Sequence, residues 1–159
     1  MLLDPKLNIL VDHHCRPKLA DFGSALLEEY LSLRFTGNSR KPGLTLRWAA
    51  PELIANETGP SKPADVYALG MTILEIFTRS VPFADVKRDI ALCHIVAFQK
   101  KHPTRPEALH LDKFKDDRLW SLLVGSWAYE PQDRPLAIEV YEKVWSLHLL
   151  STERSLRHL

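Results

Sequence analysis

Between Pro63 and about Arg79 the chain carries Val66, Tyr67, Leu69, Met71, Ile73, Leu74, Ile76 and Phe77, and at helical spacing these fall on most sides of the axis. A helix that is apolar nearly all round has to lie at the centre of a domain, so the rest of the chain must be arranged to surround it. Gly70, Thr72 and Glu75 interrupt the run and it is too short to span a bilayer, which leaves a buried core helix as the reading. The 159 residues are one domain's worth and can bury a sizeable core.

Three further helices are predicted after it. Residues Asp85–Gln99 form an amphipathic helix through Ile90, Leu92, Ile95, Val96 and Phe98, followed by a polar loop, His102-Pro103-Thr104-Arg105-Pro106. Asp116–Trp127 is the next, with Leu119, Trp120, Leu122 and Leu123. Pro135 takes the N1 position of the last, which runs through Val140, Tyr141, Val144, Trp145, Leu147 and Leu149. Trp120, Trp127 and Trp145 are expected as core anchors rather than as a stacking platform.

Upstream of the helices, Asn8–Val11 and Lys18–Phe22 flank Asp12-His13-His14-Cys15-Arg16-Pro17 and predict a small hairpin. Gly23–Trp48 shows little periodicity, with turn signals at Gly37-Asn38 and Lys41-Pro42-Gly43; a loop of that length in a compact domain is usually functional. The predicted fold is mainly α: a short β-hairpin, a long segment, then a helical bundle. Residues 1–150 form one domain and 151–159 a C-terminal tail.

Lys and Arg number 21 against 20 Asp and Glu, so no net field recruits nucleic acid or an anionic membrane. Cys15 and Cys93 form no spaced pair, as in a reducing compartment. The Met1-Leu2-Leu3-Asp4-Pro5 start does not have the form of a signal peptide, and the cytoplasm or nucleus is the expected location. His13-His14-Cys15 is read as a solvated turn, because adjacent residues in a turn chelate poorly and no second cluster has zinc spacing.

The chemistry is concentrated in an ordered set of motifs. Asp21-Phe22-Gly23 follows a predicted strand, Asn8 lies thirteen positions before Asp21, and Ala50-Pro51-Glu52 closes the long segment. Further on come Asp65-Val66-Tyr67-Ala68-Leu69-Gly70, Trp127, and Pro131-Gln132-Asp133-Arg134-Pro135. A lone D-F-G is weak, but this order and spacing resembles the C-terminal lobe of a protein kinase catalytic domain, from Asp4 or Asn8 to about Leu147. Thr45-Leu46-Arg47-Trp48 before A-P-E is similar to the tyrosine-kinase-like group, many of whose members act on Ser/Thr, and Thr45 stands where Ser/Thr kinases have Thr.

The resemblance implies phosphoryl transfer from Mg-ATP to protein Ser/Thr, with Tyr the lesser expectation. It implies that Asn8 and Asp21 hold Mg²⁺, whose preferred ligands are hard oxygens. Asp65 would fasten the catalytic loop from beneath, and Glu52 would pair with Arg134. Thr45 would position the substrate. Ser24, Ser32, Thr36 and Ser39, with Arg34 and Arg40 nearby, are read as ordinary loop residues ahead of phosphosites.

The chain also departs from the family. Its catalytic loop reads H-R-D-L-K-P-x-N, but the residue five before Asn8 is Leu3. Asp4-Pro5-Lys6 keeps the D-x-K pattern and reaches Asn8 one residue early, so either the base is missing or the loop is one residue short. Asp4 is the candidate base and Lys6 the candidate γ-phosphate partner. No Gly-rich loop and no V-A-I-K Lys precede Asn8, from which a chain truncated at its N-terminus and inactive alone is expected. The alternative is a non-catalytic, pseudokinase-like interaction module whose partner covers the exposed face of the central helix. No nucleic acid or membrane partner is expected.

Overall fold

The structure is a computed structural model that describes residues 9–20, 46–110 and 113–156. It divides into two units, residues 1–43 and 44–159.

In the first unit, β1 (Ile9–Val11) pairs antiparallel with β2 (Pro17–Leu19), in the register Ile9 to Leu19, Leu10 to Lys18 and Val11 to Pro17. Asp12 builds the turn. Its Oδ1 accepts from the amides of His14 (2.9 Å) and Arg16 (3.0 Å), and Cys15 takes the left-handed conformation at φ 60°. The Arg16 amide above all holds the Asp12 carboxyl below its ordinary value. His13, His14 and Cys15 are exposed, and no cluster of three metal-ligating side chains occurs among the described residues.

The second unit is helical: α1 (Pro51–Ile54), α2 (Lys62–Thr78), α3 (Asp89–Cys93) continuing into a π-helical turn (His94–Phe98), a 3₁₀ turn (Glu107–His110), α4 (Lys113–Ser126), a second 3₁₀ turn (Pro131–Asp133) and α5 (Ala137–Leu156). With the hairpin, this is the mainly α arrangement of a kinase-like C-terminal lobe.

Local chemistry sets the limits of α2. The Ser61 hydroxyl accepts from the Ala64 amide at 3.2 Å, Pro63 lies in the first turn, and Asp65 adds a negative charge at the positive end of the helix dipole. At the other end Arg79, at φ 54°, donates its N–H to the Glu75 carbonyl. Ala64, Tyr67, Met71 and Leu74 of α2 pack in one core with Ala50, Phe83, Leu92, Val96, Leu109, Leu119, Leu123 and Trp127. Val66 joins a smaller cluster with Leu122 and Val140.

Gly70 lets α2 and α4 approach. A Cβ there would lie 2.7 Å from Trp127 Nε1 and 3.0 Å from Ser126 Cβ. The same contact leaves Trp127 Nε1 buried without a hydrogen-bond partner.

Several expectations are corrected. The helix predicted from Asp85 begins at Asp89, because residues 82–85 form a turn. Leu92 and Val96 are buried as expected, but Ile90 and Phe98 project into solvent. Pro135 lies ahead of α5 rather than at N1: the Leu136 carbonyl accepts the Val140 amide, and Glu139 Oε2 accepts the Leu136 amide at 2.7 Å. Trp127 is a core anchor, whereas Trp145 and Tyr141 are exposed and their rings stack on each other. The central helix does keep the exposed face expected of it: Leu69, Ile76 and Phe77 form an exposed stripe.

Candidate functional site

The expected site residues separate into two groups. Asp4, Lys6, Asn8, Asp21 and Thr45 lie outside the described residues, as do Ser24, Ser32, Thr36, Ser39, Arg34 and Arg40. Glu52, Asp65 and Arg134 are described. Asn8 is the residue before Ile9, and Asp21 is two residues after Leu19, the partner of Ile9 in the hairpin.

Glu52 enters the first turn of α1 directly after Pro51, and Arg134 follows the 3₁₀ turn Pro131–Asp133. Their side chains meet across 82 residues of sequence. Arg134 Nη1 donates to Glu52 Oε1 and Nη2 to Glu52 Oε2, both at 2.7 Å, with side-chain exposures of 0% for Arg134 and 5% for Glu52. This is the bidentate geometry in which the guanidinium fork matches a carboxylate.

A guanidinium has five N–H bonds to satisfy. The three that do not face Glu52 reach carbonyls: Nε donates to Ala128 (2.8 Å), Nη1 to Pro63 (3.1 Å) and Nη2 to Tyr129 (3.1 Å). Arg134 therefore ties α1, the start of α2 and the turn after α4 to a single point. The Tyr67 ring lies 5.2 Å from its guanidinium carbon. Burial pushes the Tyr67 phenol well above its ordinary value, against the pull of Arg134 and with a smaller push from Glu52.

The segment leading into α1 is anchored by two residues that sequence reasoning did not single out as anchors. Arg47 Nη1 donates to the carbonyls of Pro82 (2.9 Å) and Phe83 (2.6 Å), and Nη2 to Val86 (2.8 Å). Trp48 Nε1 donates to Glu75 Oε2 at 3.0 Å. Backbone carbonyls 35 to 39 residues away carry no side-chain identity, so the sequence holds no signal for the Arg47 contacts.

Asp65 is exposed in the first turn of α2, and desolvation raises its carboxyl above the ordinary value. A groove of about 680 Å³ opens beside the Arg47-held loop, lined by Phe83, Asp85, Ile95, Lys101 and His102 among others.

With the Glu52–Arg134 clasp in place, comparison decides the family. The family model described as "Protein kinase domain" matches residues 5–146. The chain belongs to the protein kinase domain family. It is 33% identical over 133 residues to "Mitogen-activated protein kinase kinase kinase 2" of Arabidopsis thaliana, covering 84% of this chain and 19% of that protein. To "Mitogen-activated protein kinase kinase kinase YODA" of the same plant it is 31% identical over 149 residues, 92% of this chain and 15% of the relative. "Receptor-interacting serine/threonine-protein kinase 3" of Rattus norvegicus is 29% identical over 153 residues, 92% of this chain and 31% of the relative. This kinase-family chain thus spans a fifth or less of the two plant relatives and under a third of the rat one.

Proposed function

We propose that this chain is the substrate-facing lobe of a protein kinase that phosphorylates protein Ser/Thr, and that the 159 residues by themselves do not transfer phosphate. Kinase family membership implies ATP and Mg²⁺ use in general. The observation that carries the reading is the buried, fully bonded Glu52–Arg134 clasp. It fixes the Ala50-Pro51-Glu52 end of the segment that begins at Asp21, which is what a phosphoryl-transfer enzyme requires of a scaffold: positioning.

In this reading Asn8 contributes an amide oxygen and Asp21 a carboxylate, donor types that suit a hard cation. Hairpin pairing of Ile9 with Leu19 supports a common site, since Asn8 and Asp21 continue the chain from that paired end. Mg²⁺, when bound, neutralises charge on the phosphates. Asp4 accepts the proton of the substrate hydroxyl, Lys6 balances phosphate charge, and Thr45 positions the acceptor residue. The names of the relatives, which include a receptor-interacting serine/threonine-protein kinase, support Ser/Thr as the acceptor. Free thiols at Cys15 and Cys93 support a cytoplasmic or nuclear setting.

The exposed stripe Leu69, Ile76 and Phe77 on α2 favours a second reading, a non-catalytic module in which a protein partner covers that face. A chimera separates the two. The chain is fused behind a kinase N-terminal lobe carrying a Gly-rich loop and a strand Lys, and γ-phosphate transfer to Ser/Thr peptides is measured. The catalytic reading predicts transfer that Asp21→Ala reduces by about a hundredfold or more, while the isolated chain shows neither transfer nor a Mg-ATP thermal shift. A folded chimera with no transfer would favour the interaction module.

A further inference from the structure

The two most solvent-exposed large apolar side chains among the described residues lie on one short element. Ile90 is 85% exposed and Phe98 73%. Ile90, His94 and Phe98 follow at intervals of four along α3 and its π-helical continuation, and the His94 and Phe98 rings stack at 5.7 Å. Leu92, Val96 and Ala97 hold the other side of the element in the core. Ile90, His94 and Phe98 therefore form an outward stripe about 12 Å long at 1.5 Å per residue.

The π turn helps to create this stripe. The Gln99 amide donates to the His94 carbonyl, five residues back, at 3.0 Å, and the Lys101 amide reaches the Ile95 carbonyl at 3.1 Å. The widened turn keeps Val96 and Ala97 buried while Phe98 is turned out. Widened turns of this kind recur at functional sites.

The surroundings give the patch a sign. Lys87 and Arg88 stand immediately before the stripe and Lys100 and Lys101 immediately after it, all exposed, with Asp85 and Asp89 as the acidic residues of the same stretch. Among the described residues Lys87, Arg88 and Lys101 have no carboxylate partner, and the Lys100 ammonium lies 3.8 Å from the centre of the Tyr129 ring. The chain as a whole is nearly neutral, so these four cations at the two ends of an apolar stripe are a local feature.

We infer that the Ile90–His94–Phe98 face is a docking surface for a protein segment that presents apolar side chains flanked by carboxylates. Apolar anchors supply most of the affinity at such a surface, and the charged rim sets the association rate and the choice of partner. The inference is independent of phosphoryl transfer, because the stripe shares no residue with the proposed catalytic set.

Two designed helical peptides serve as probes for the full chain: one with Leu and Phe along one face flanked by Glu, and a twin with Lys in place of every Glu. Binding is read by fluorescence anisotropy at low and high salt. The Glu-flanked peptide should bind at least about tenfold more tightly than its twin, with the preference shrinking at high salt. Phe98→Ala and Ile90→Ala should each weaken it by about tenfold. Lys87→Glu with Arg88→Glu should shift the preference towards the Lys-flanked twin. All four substitutions are at exposed positions, and circular dichroism confirms that the fold is retained.

Equal binding of the twins, no binding of either, or undiminished binding by Phe98→Ala overturns the inference. So does a dimer in sedimentation that Ile90→Glu dissolves, since the stripe would then serve a second copy of the chain.

Discussion

Arg134 and Glu52 face each other through two parallel hydrogen bonds of 2.7 Å, and every remaining N–H of Arg134 ends on a backbone carbonyl. The pair is buried, so its members are not interchangeable with uncharged residues one at a time. Removing one partner strands the other in a low-dielectric setting, at a typical cost of about 3–5 kcal/mol. Glu52→Gln and Arg134→Ala are each expected to destabilise the chain by roughly that amount in urea unfolding. Arg134→Lys should rescue little, because an ammonium has three donors and no planar fork.

Arg47 acts on a smaller scale. Its three carbonyl acceptors hold the loop of Pro82, Phe83 and Val86 against the segment that enters α1. Arg47→Ala should cost about 1–3 kcal/mol, since bonds to a charged donor are stronger than neutral ones. The diagnostic measurement is hydrogen exchange: amides at 83–86 should exchange faster while the α4 core stays protected. Uniform exchange in the two regions would contradict a local clamp.

Gly70 is expected to resist substitution although it sits inside a helix, where Ala is ordinarily the better residue by about 1 kcal/mol. The Cβ of Gly70→Ala would meet Trp127 Nε1 at 2.7 Å, and the indole is itself packed against His102 and Trp120. Overpacking of this kind costs about 1–3 kcal/mol, and thermal unfolding should show a lower Tm. An unchanged or higher Tm would mean that α2 and α4 separate more easily than their packing implies.

Tyr67 should give the chain an alkaline limit. Its phenol is raised chiefly by burial, so the folded state keeps the proton at a pH where the unfolded chain, with a phenol near pH 10, releases it. The associated stability is fully present below about pH 10 and is lost as the pH rises towards the folded value. Tyr67→Phe should flatten the loss of stability above about pH 10 in a circular dichroism titration, and an identical alkaline limb in the two proteins would contradict this account.

The parts legible in the sequence were those with local causes or with a recognisable motif at each end. Pro63 and the apolar run specify α2, two short apolar runs flanking Asp12–Pro17 specify the hairpin, and the family resemblance carried by the spaced motifs implies the Glu52–Arg134 pair. Where the reading failed, the cause was not local. Apolar content alone did not reveal that Ile90, Phe98, Tyr141 and Trp145 point outwards, because periodicity counts faces without knowing which face has a neighbour. The π turn after Cys93 shifts the register by an amount that no residue there announces. Pro135 fits N1 by preference, yet the chain spends two more residues before α5 begins, with Glu139 bonding the Leu136 amide. Arg47 finds only carbonyls, which sequence does not distinguish.

The proposed cation site offers the most direct test of the account. Mn²⁺ titrated into the isotopically labelled full chain broadens NMR signals of nuclei close to the bound ion. The account predicts that the Asn8 side-chain amide and the Asp21 backbone amide broaden together at the same low metal ratio, recover with excess Mg²⁺, and no longer respond in Asp21→Ala. Broadening of one without the other, or of neither before general surface effects set in, would contradict a shared site at the Ile9–Leu19 end of the hairpin.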